Sequence, residues 1–228
     1  MKYVFFSDGT SSVVKSIAAH LADQGYSPIL NGIDVSIPLL DKTALSAYLA
    51  NLGEDFCGAV FDNPAPIRAS IEDATDEQWS KARDEFAAPA LAFTQCAGDA
   101  LSALGRGGVV YLNSIHAEKP IGEGFLHTVC CAAVQMLCRE AAIRYGKSRV
   151  GFYNVMRGIL QGEEDLFASE YTAIHHNAHY RFPSEDVPPQ QSLDELVAFL
   201  LTPAAYILNG TDMHADEGFR LYFGTARK

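Results

Sequence analysis

Short apolar runs rich in β-branched and aromatic residues alternate along this chain with longer stretches in which apolar residues return every three to four positions. That alternation predicts parallel strands joined by crossover helices. Tyr3–Phe6 reads as the first strand, and Ser11–Gln24 as a helix with Val14, Ile17, Ala18 and Leu21 on one face. A short strand at Ser27–Leu30 and a helix near Lys42–Asn51 follow. Gly58–Phe61 is a buried strand that stops at Asp62-Asn63-Pro64, and Asp76–Leu104 is a long helix carrying Trp79, Phe86, Leu91, Phe93 and Ala97. Arg106-Gly107-Gly108 ends that helix, and a strand at Val109–Leu112, a second long helix over about Gly124–Tyr145 and a strand at Val150–Val155 complete the regular part.

After Gly158 the periodicity lapses until Ser192, so an irregular region is expected over about 159–191; it holds Tyr171, His175, His176, His179 and Tyr180. Loops of that length inside compact domains are usually lids or binding loops. Ser192, with Glu195 three residues on, predicts a capped helix start, continued by Val197–Leu201 up to Pro203. Ala205–Gly210 then leads into a last strand around Met213–Ala215. No repeat, low-complexity tract or linker divides the chain. One α/β domain over residues 1–228 is expected, a doubly wound parallel sheet in a three-layer α/β/α arrangement.

Composition narrows the partners. Seventeen Lys and Arg against 28 Asp and Glu give a net charge of -11, which leaves no basic footprint for a phosphate backbone and argues against nucleic acid. Five cysteines without a C-x-x-C pair fit neither a zinc module nor a secreted disulfide framework, so a reducing cytoplasm is the expected home. The apolar run at Tyr3–Phe6 is too short for a signal peptide, and no stretch elsewhere is expected to reach the length needed to span a membrane.

The order of the pieces resembles the short-chain dehydrogenase/reductase family over nearly the whole chain. The family's opening T-G-x-x-x-G-x-G aligns with Ser7-Asp8-Gly9-Thr10-Ser11-Ser12-Val13-Val14, and its N-N-A-G with Asp62-Asn63-Pro64-Ala65. Its active-site serine resembles Ser114 in Leu112-Asn113-Ser114, Val155-Met156-Arg157-Gly158 stands at V-x-P-G, and Leu208-Asn209-Gly210 with Ala215-Asp216-Glu217-Gly218 resembles the tail I-T-G…V-D-G-G. The resemblance implies a Rossmann-like fold, NAD(P) as the cofactor if one is bound, and Gly9, Ser11, Val13 and Asn63 as the residues that would bind it.

Departures from the pattern bear on chemistry. The three glycine positions of the first turn read Asp8, Ser12 and Val14, so a carboxylate stands where the diphosphate would lie, unless it serves as a cap. The second strand ends at Leu30-Asn31-Gly32 with no ribose-binding acid, and the short segment beyond it suggests a trimmed adenosine side. Thirteen residues past Ser114 the family's tyrosine is replaced by His127, four further on its lysine is replaced by Cys131, and its helix asparagine is replaced by Phe86. Cys131 carries no positive charge and cannot do the lysine's work.

Two functions remain open at this point. One is a catalytically degenerate subunit, a structural or regulatory partner of an active dehydrogenase, forming a homo-oligomer or a hetero-oligomer with a paralogue through the two long helices. Phe86, Leu91 and Phe93 in one and Val129, Val134 and Met136 in the other place apolar residues on more than one side, as an obligate interface requires. The alternative is an atypical NAD(P)-dependent oxidoreductase of a small carbonyl or alcohol, with Ser114 and His127 as catalytic residues. His127, Cys130, Cys131 and Cys138 equally fit an ordinary core helix in which cysteines act as small hydrophobes. A small-molecule ligand without turnover is a third class. His175 and His179 have the spacing of paired zinc ligands, but no H-E-x-x-H is present and no metal is expected.

Overall fold

The computed structural model describes residues 1–64, 69–120, 124–163, 182–184 and 186–221. Six strands, β1 (Tyr3–Phe6), β2 (Ser27–Leu30), β3 (Phe56–Asp62), β4 (Gly107–Ser114), β5 (Val150–Arg157) and β6 (Asp212–Ala215), form one sheet in the order β2-β1-β3-β4-β5-β6. Every pairing is parallel. Parallel sheets need both faces covered, and the continuous apolar runs of β1, β3, β4 and β5 provide residues for both. Val4, Phe6, Val60, Val110, Leu112, Tyr153 and Val155 enter one core, while Phe5, Ala59, Phe61, Val109, Tyr111 and Phe152 enter the other.

The first core is closed by α1 (Ser12–Asp23) and α6 (Gln190–Leu200), which lie side by side. Ser16 donates to the buried Asp194 at 2.7 Å and so pins the two helices together. The second core is closed by α2 (Lys42–Asn51), a long helical stretch and α5 (Phe125–Tyr145). The stretch begins as α3 (Asp76–Ala82), widens into a π turn at Arg83–Ala87 and continues as α4 (Ala88–Leu104). Its start is capped by Thr75 with Gln78 reaching back to the cap, and Gly105, in the left-handed conformation at φ 66°, ends it. Pro89 near the start of α4 has no N–H to give, which accounts for the local widening into the π turn.

The strands run one to two residues beyond the expected bounds at β3, β4 and β5. One expectation about caps fails. The last helix starts at Gln190, next to Pro189, and Ser192 makes no side-chain cap bond. Proline at φ -70° already sets the chain for helix entry, and Gln190 bonds Asp194 at 2.9 Å one turn on, so the earlier start is the better satisfied one. A second expectation also fails, because α5 with the turn after it is long and apolar enough to cross a membrane by length and composition. Its buried side, from Leu126 through Cys130, Cys131, Val134 and Cys138 to Ala142, packs on the sheet and α4, the packing of a crossover helix.

At the centre of the second core Phe93 lies between Phe5 and Phe61, with ring centroids 6.2 and 5.4 Å away, and Phe61 leans on Tyr111. Tyr111 is fully buried, and its hydroxyl is satisfied by Thr94 at 2.7 Å. Phe93→Ala is expected to destabilise the fold by about 3–5 kcal/mol in urea denaturation, since it removes the ring that joins strands β1 and β3 to α4.

Candidate active-site crevice

In a doubly wound sheet, ligands bind outside the carboxyl ends of the strands where the strand order reverses. Here that switch point lies between β1 and β3. The chain leaves β1 at Ser7, whose hydroxyl accepts from the Asp62 N–H at 2.9 Å, and turns into α1 through Asp8-Gly9-Thr10-Ser11. Gly9 is required by space. A Cβ there would lie 2.5 Å from Leu30 Cβ and 3.3 Å from Ile33, and the Gly9 N–H is already donated to the Asn31 carbonyl at 2.7 Å.

Ser11 is the cap of α1, accepting from the Val14 N–H at 3.1 Å, and its own hydroxyl donates to Asp62 at 2.8 Å. Asp8 takes the Thr10 N–H at 2.8 Å and the Thr10 hydroxyl at 3.0 Å, so it closes a local turn and does not cap the helix. Burial pushes the Asp62 carboxyl up to about 6, against the pull of Arg157 and the Ser11 hydrogen bond, with Asp8 and Glu163 adding to the rise. Val13 points into the core at 2% exposure. Of the residues expected to bind a cofactor, then, Gly9 and Ser11 face the crevice with their donors engaged, and the Val13 side chain does not reach it.

The far side of the turn is closed. Among the described residues the sheet ends at β2, with no strand outside it where the 3-2-1-4-5-6 order has one. In its place Asn31 donates to the Ser7 and Ile37 carbonyls at 3.1 and 2.9 Å and accepts from the Ile37 N–H at 2.9 Å, folding residues 31–37 back over the turn.

On the other side of the switch point a ladder of amides crosses the strand ends. Asn63 donates to Asn113 at 2.7 Å, Asn113 to Asn154 at 3.0 Å, and Asn154 to Asp212 at 2.7 Å. Asn113 also donates to the Cys131 carbonyl at 2.9 Å and accepts from the Ser114 N–H at 2.8 Å, which fastens α5 to the sheet. Asp212 further receives Gln135 and Arg139, and Glu118, joined to Gln135 and His214, extends the network to the surface. Asn63 Oδ1 is buried and without a partner. The expected residue Asn63 is therefore at the crevice, and the ladder beyond it was not foreseen; the signal was Asn113 and Asn154 standing in strands that are otherwise apolar.

His127 and Cys131 meet one turn apart on α5. His127 Nε2 lies 3.4 Å from Cys131 Sγ, and Asn63 donates to the same sulfur at 3.6 Å. His127 also faces Phe86 at 5.8 Å and the edge of His116 at 6.1 Å between ring centroids, and its Nδ1 is buried without a partner. Burial, with His116 and Arg157 nearby, lowers the imidazole to about 4, and burial pushes the Cys131 thiol well above its ordinary value. Both groups are neutral near pH 7. Ser114 does not pair with His127; its hydroxyl accepts from the His116 N–H at 3.2 Å. Arg157 is held by Glu163 at 2.7 Å. Among the described residues no cluster of His, Cys, Asp or Glu is arranged to hold a metal, and His175, His176 and His179 lie outside them.

An imidazole depressed to about 4 contributes stability that is complete above the unfolded value of roughly 6.5 and is lost as pH falls through 4. His127→Gln has no such proton to take up. Its stability relative to the unsubstituted chain should rise by about 1–2 kcal/mol between pH 7.5 and 4.5, partial exposure screening the full effect. Parallel denaturation curves for the two proteins across that range would refute the assignment.

The family model described as Enoyl-(Acyl carrier protein) reductase matches residues 56–220. No curated protein matches. Among solved structures, the fold is similar to that of gox2181, with 17% identity, coverage of 97% of this chain and 96% of that one, and a TM-score of 0.83. ElxO with NADP bound is 13% identical over 97% and 99% of the two chains, with a TM-score of 0.82. A gluconate 5-dehydrogenase from Burkholderia cenocepacia in complex with NADP and tartrate is 14% identical over 97% and 96%, with a TM-score of 0.83. The parallel sheet, the crevice at its switch point and the family match across most of the length together place this chain in the short-chain dehydrogenase/reductase family.

Proposed function

We propose that this chain is a catalytically silent member of its oxidoreductase family that works as a structural or regulatory subunit beside an active dehydrogenase. The observation that carries this reading is the pair His127 and Cys131, standing where the family pattern puts tyrosine and lysine. A tyrosine in that role donates its proton because a cation beside it lowers its pKa. Here the neighbouring group is a buried thiol held protonated, and the imidazole is held neutral, so neither supplies a proton or a positive charge at pH 7.

The nucleotide side supports the same reading. A dinucleotide needs backbone N–H groups and a helix N-terminus free to meet its diphosphate. In this crevice the Gly9 N–H and the Ser11 hydroxyl are spent within the protein, two carboxylates flank the turn, and residues 31–37 cover the adenosine side. These residues do not fit the cofactor.

Assembly is supported by what α4 and α5 leave outside. Phe86, Phe93 and Val134 are buried in this chain's own core, whereas Leu91, Met136 and Ile143 are 43%, 52% and 77% exposed. Scattered apolar residues are normal on a surface, but these lie on the two long helices of one layer, next to half-buried Val129 and Leu137.

A second reading, an atypical NAD(P)-dependent oxidoreductase using Ser114 and His127, is favoured by the NADP bound in two proteins of similar fold. Hydride transfer separates the two. The purified chain, given NADH or NADPH with short-chain aldehydes and ketones, should show no turnover above the uncatalysed rate, whereas measurable turnover abolished by His127→Gln would establish the second reading.

The assembly is tested apart from the chemistry. The unsubstituted chain should migrate as an oligomer by light scattering, alone or with a co-purifying paralogue, and Leu91→Arg with Met136→Arg should release a folded monomer. A monomer before substitution would remove the interface from the proposal.

A further inference from the structure

The mismatch between this crevice and a dinucleotide centres on one contact. Asp62 ends β3 and reaches across to Ser11, at 2.8 Å, the residue that caps α1. Ser11 accepts from the Val14 N–H with the same oxygen, so its hydroxyl has its proton on Asp62 and its lone pair on the helix. The positive end of α1 is thus already met by a carboxylate within the fold, and a second carboxylate, Asp8, closes the turn beside it.

Among the described residues the charged groups facing Asp62 are Asp8 from the turn after β1, Arg157 from the end of β5 and Glu163 from the segment that follows β5. Arg157 is the one cation of this set, and its guanidinium is bound to Glu163. Two carboxylates and an internally neutralised ion pair therefore surround the point that a diphosphate would occupy.

We propose that the Asp62–Ser11 contact is an anion-excluding latch: while Asp62 is ionised it holds the Ser11 hydroxyl and repels any phosphate at the α1 N-terminus, and when Asp62 is neutral the turn admits a diphosphate. The inference rests on the reading that the chain does not hold a dinucleotide at neutral pH, and it names the residue responsible. Burial supports it by raising the Asp62 carboxyl to about 6, which places its change of state in the mildly acidic range. Asp8 adds to the repulsion but is only half-buried, beside the exposed Thr10, where solvent screens it.

The test is calorimetric titration of the whole purified chain with inorganic pyrophosphate and with NADP+, at pH 7.5 and 5.5, for the unsubstituted protein, Asp62→Asn and Asp8→Asn. At pH 7.5 the unsubstituted chain should bind neither ligand at millimolar concentration, and Asp62→Asn should bind pyrophosphate at least tenfold more tightly. Between pH 7.5 and 5.5 the unsubstituted chain and Asp8→Asn should gain affinity, while Asp62→Asn, which has lost the titrating group, should gain less than either. If Asp62→Asn does not fold, Asp62→Ser replaces it in every arm.

A chain that binds no ligand at pH 7.5 and an Asp62 variant that binds no better would overturn the latch and leave the dinucleotide-free reading standing. Tight binding of NADP+ by the unsubstituted chain at pH 7.5 would overturn both. An equal gain on acidification in Asp62→Asn and the unsubstituted chain would assign the pH dependence to the ligand and likewise overturn the latch.

Discussion

The side-chain amide of Asn113 joins the parts of the crevice to one another. It is buried at the end of β4, and all of its hydrogen-bonding capacity is used: by Asn63 after β3, Asn154 on β5, the Cys131 carbonyl in α5 and the N–H of its strand neighbour Ser114. An unsatisfied amide in such a place costs several kcal/mol, so the three strand ends and the helix are constrained to the separations that satisfy it together. That constraint sets α5 with its His127–Cys131 face towards the crevice. It also leaves Asn63 with its oxygen buried and unpaired, because the amide nitrogen is committed to the ladder and to the thiol.

Around this uncharged centre the charges are arranged in two groups. Carboxylates collect on the α1 side, where Asp8 and Asp62 answer the helix N-terminus, and cations are consumed in pairs, Arg157 with Glu163 and Arg139 with Asp212. Low dielectric amplifies both effects: it raises Asp62, depresses His127 and keeps Cys131 protonated. Among the described residues the Gly9 N–H and the Ser11 hydroxyl are engaged within the fold, and the His127–Cys131 pair is uncharged near pH 7. The proposed role as a subunit rests on these features together with the exposed apolar residues of α4 and α5.

The fold was legible because it depends on residue character at short range. The apolar runs at Tyr3–Phe6 and Gly58–Phe61 mark strands buried within the sheet, Ser27–Leu30 marks a half-buried edge strand, and the spacing of Val14, Ile17 and Leu21 marks a helix with one buried face. The start of the last helix was misread because Pro189 and Gln190 settle it through backbone geometry and an i to i+4 hydrogen bond, while the pattern drew attention to Ser192. The apolar length of α5 is obscured in the sequence by Arg139, Glu140 and Arg144 near its end, although most of the helix is apolar.

The sequence by itself determined that tyrosine and lysine are absent from the expected positions and that Asp8 stands in the first turn, because these are matters of which residue occupies a place in the order. It also determined the alternation of strands and helices, which local periodicity encodes. Only the tertiary structure decided that His127 reaches Cys131 and not Ser114, that Ser11 is bound by Asp62 from fifty-one positions away, and that Asn31 ties the chain after β2 to Ser7 and Ile37. Each of those outcomes depends on which buried polar group finds which partner across the sheet, a choice made among groups that the fold brings together from distant parts of the chain.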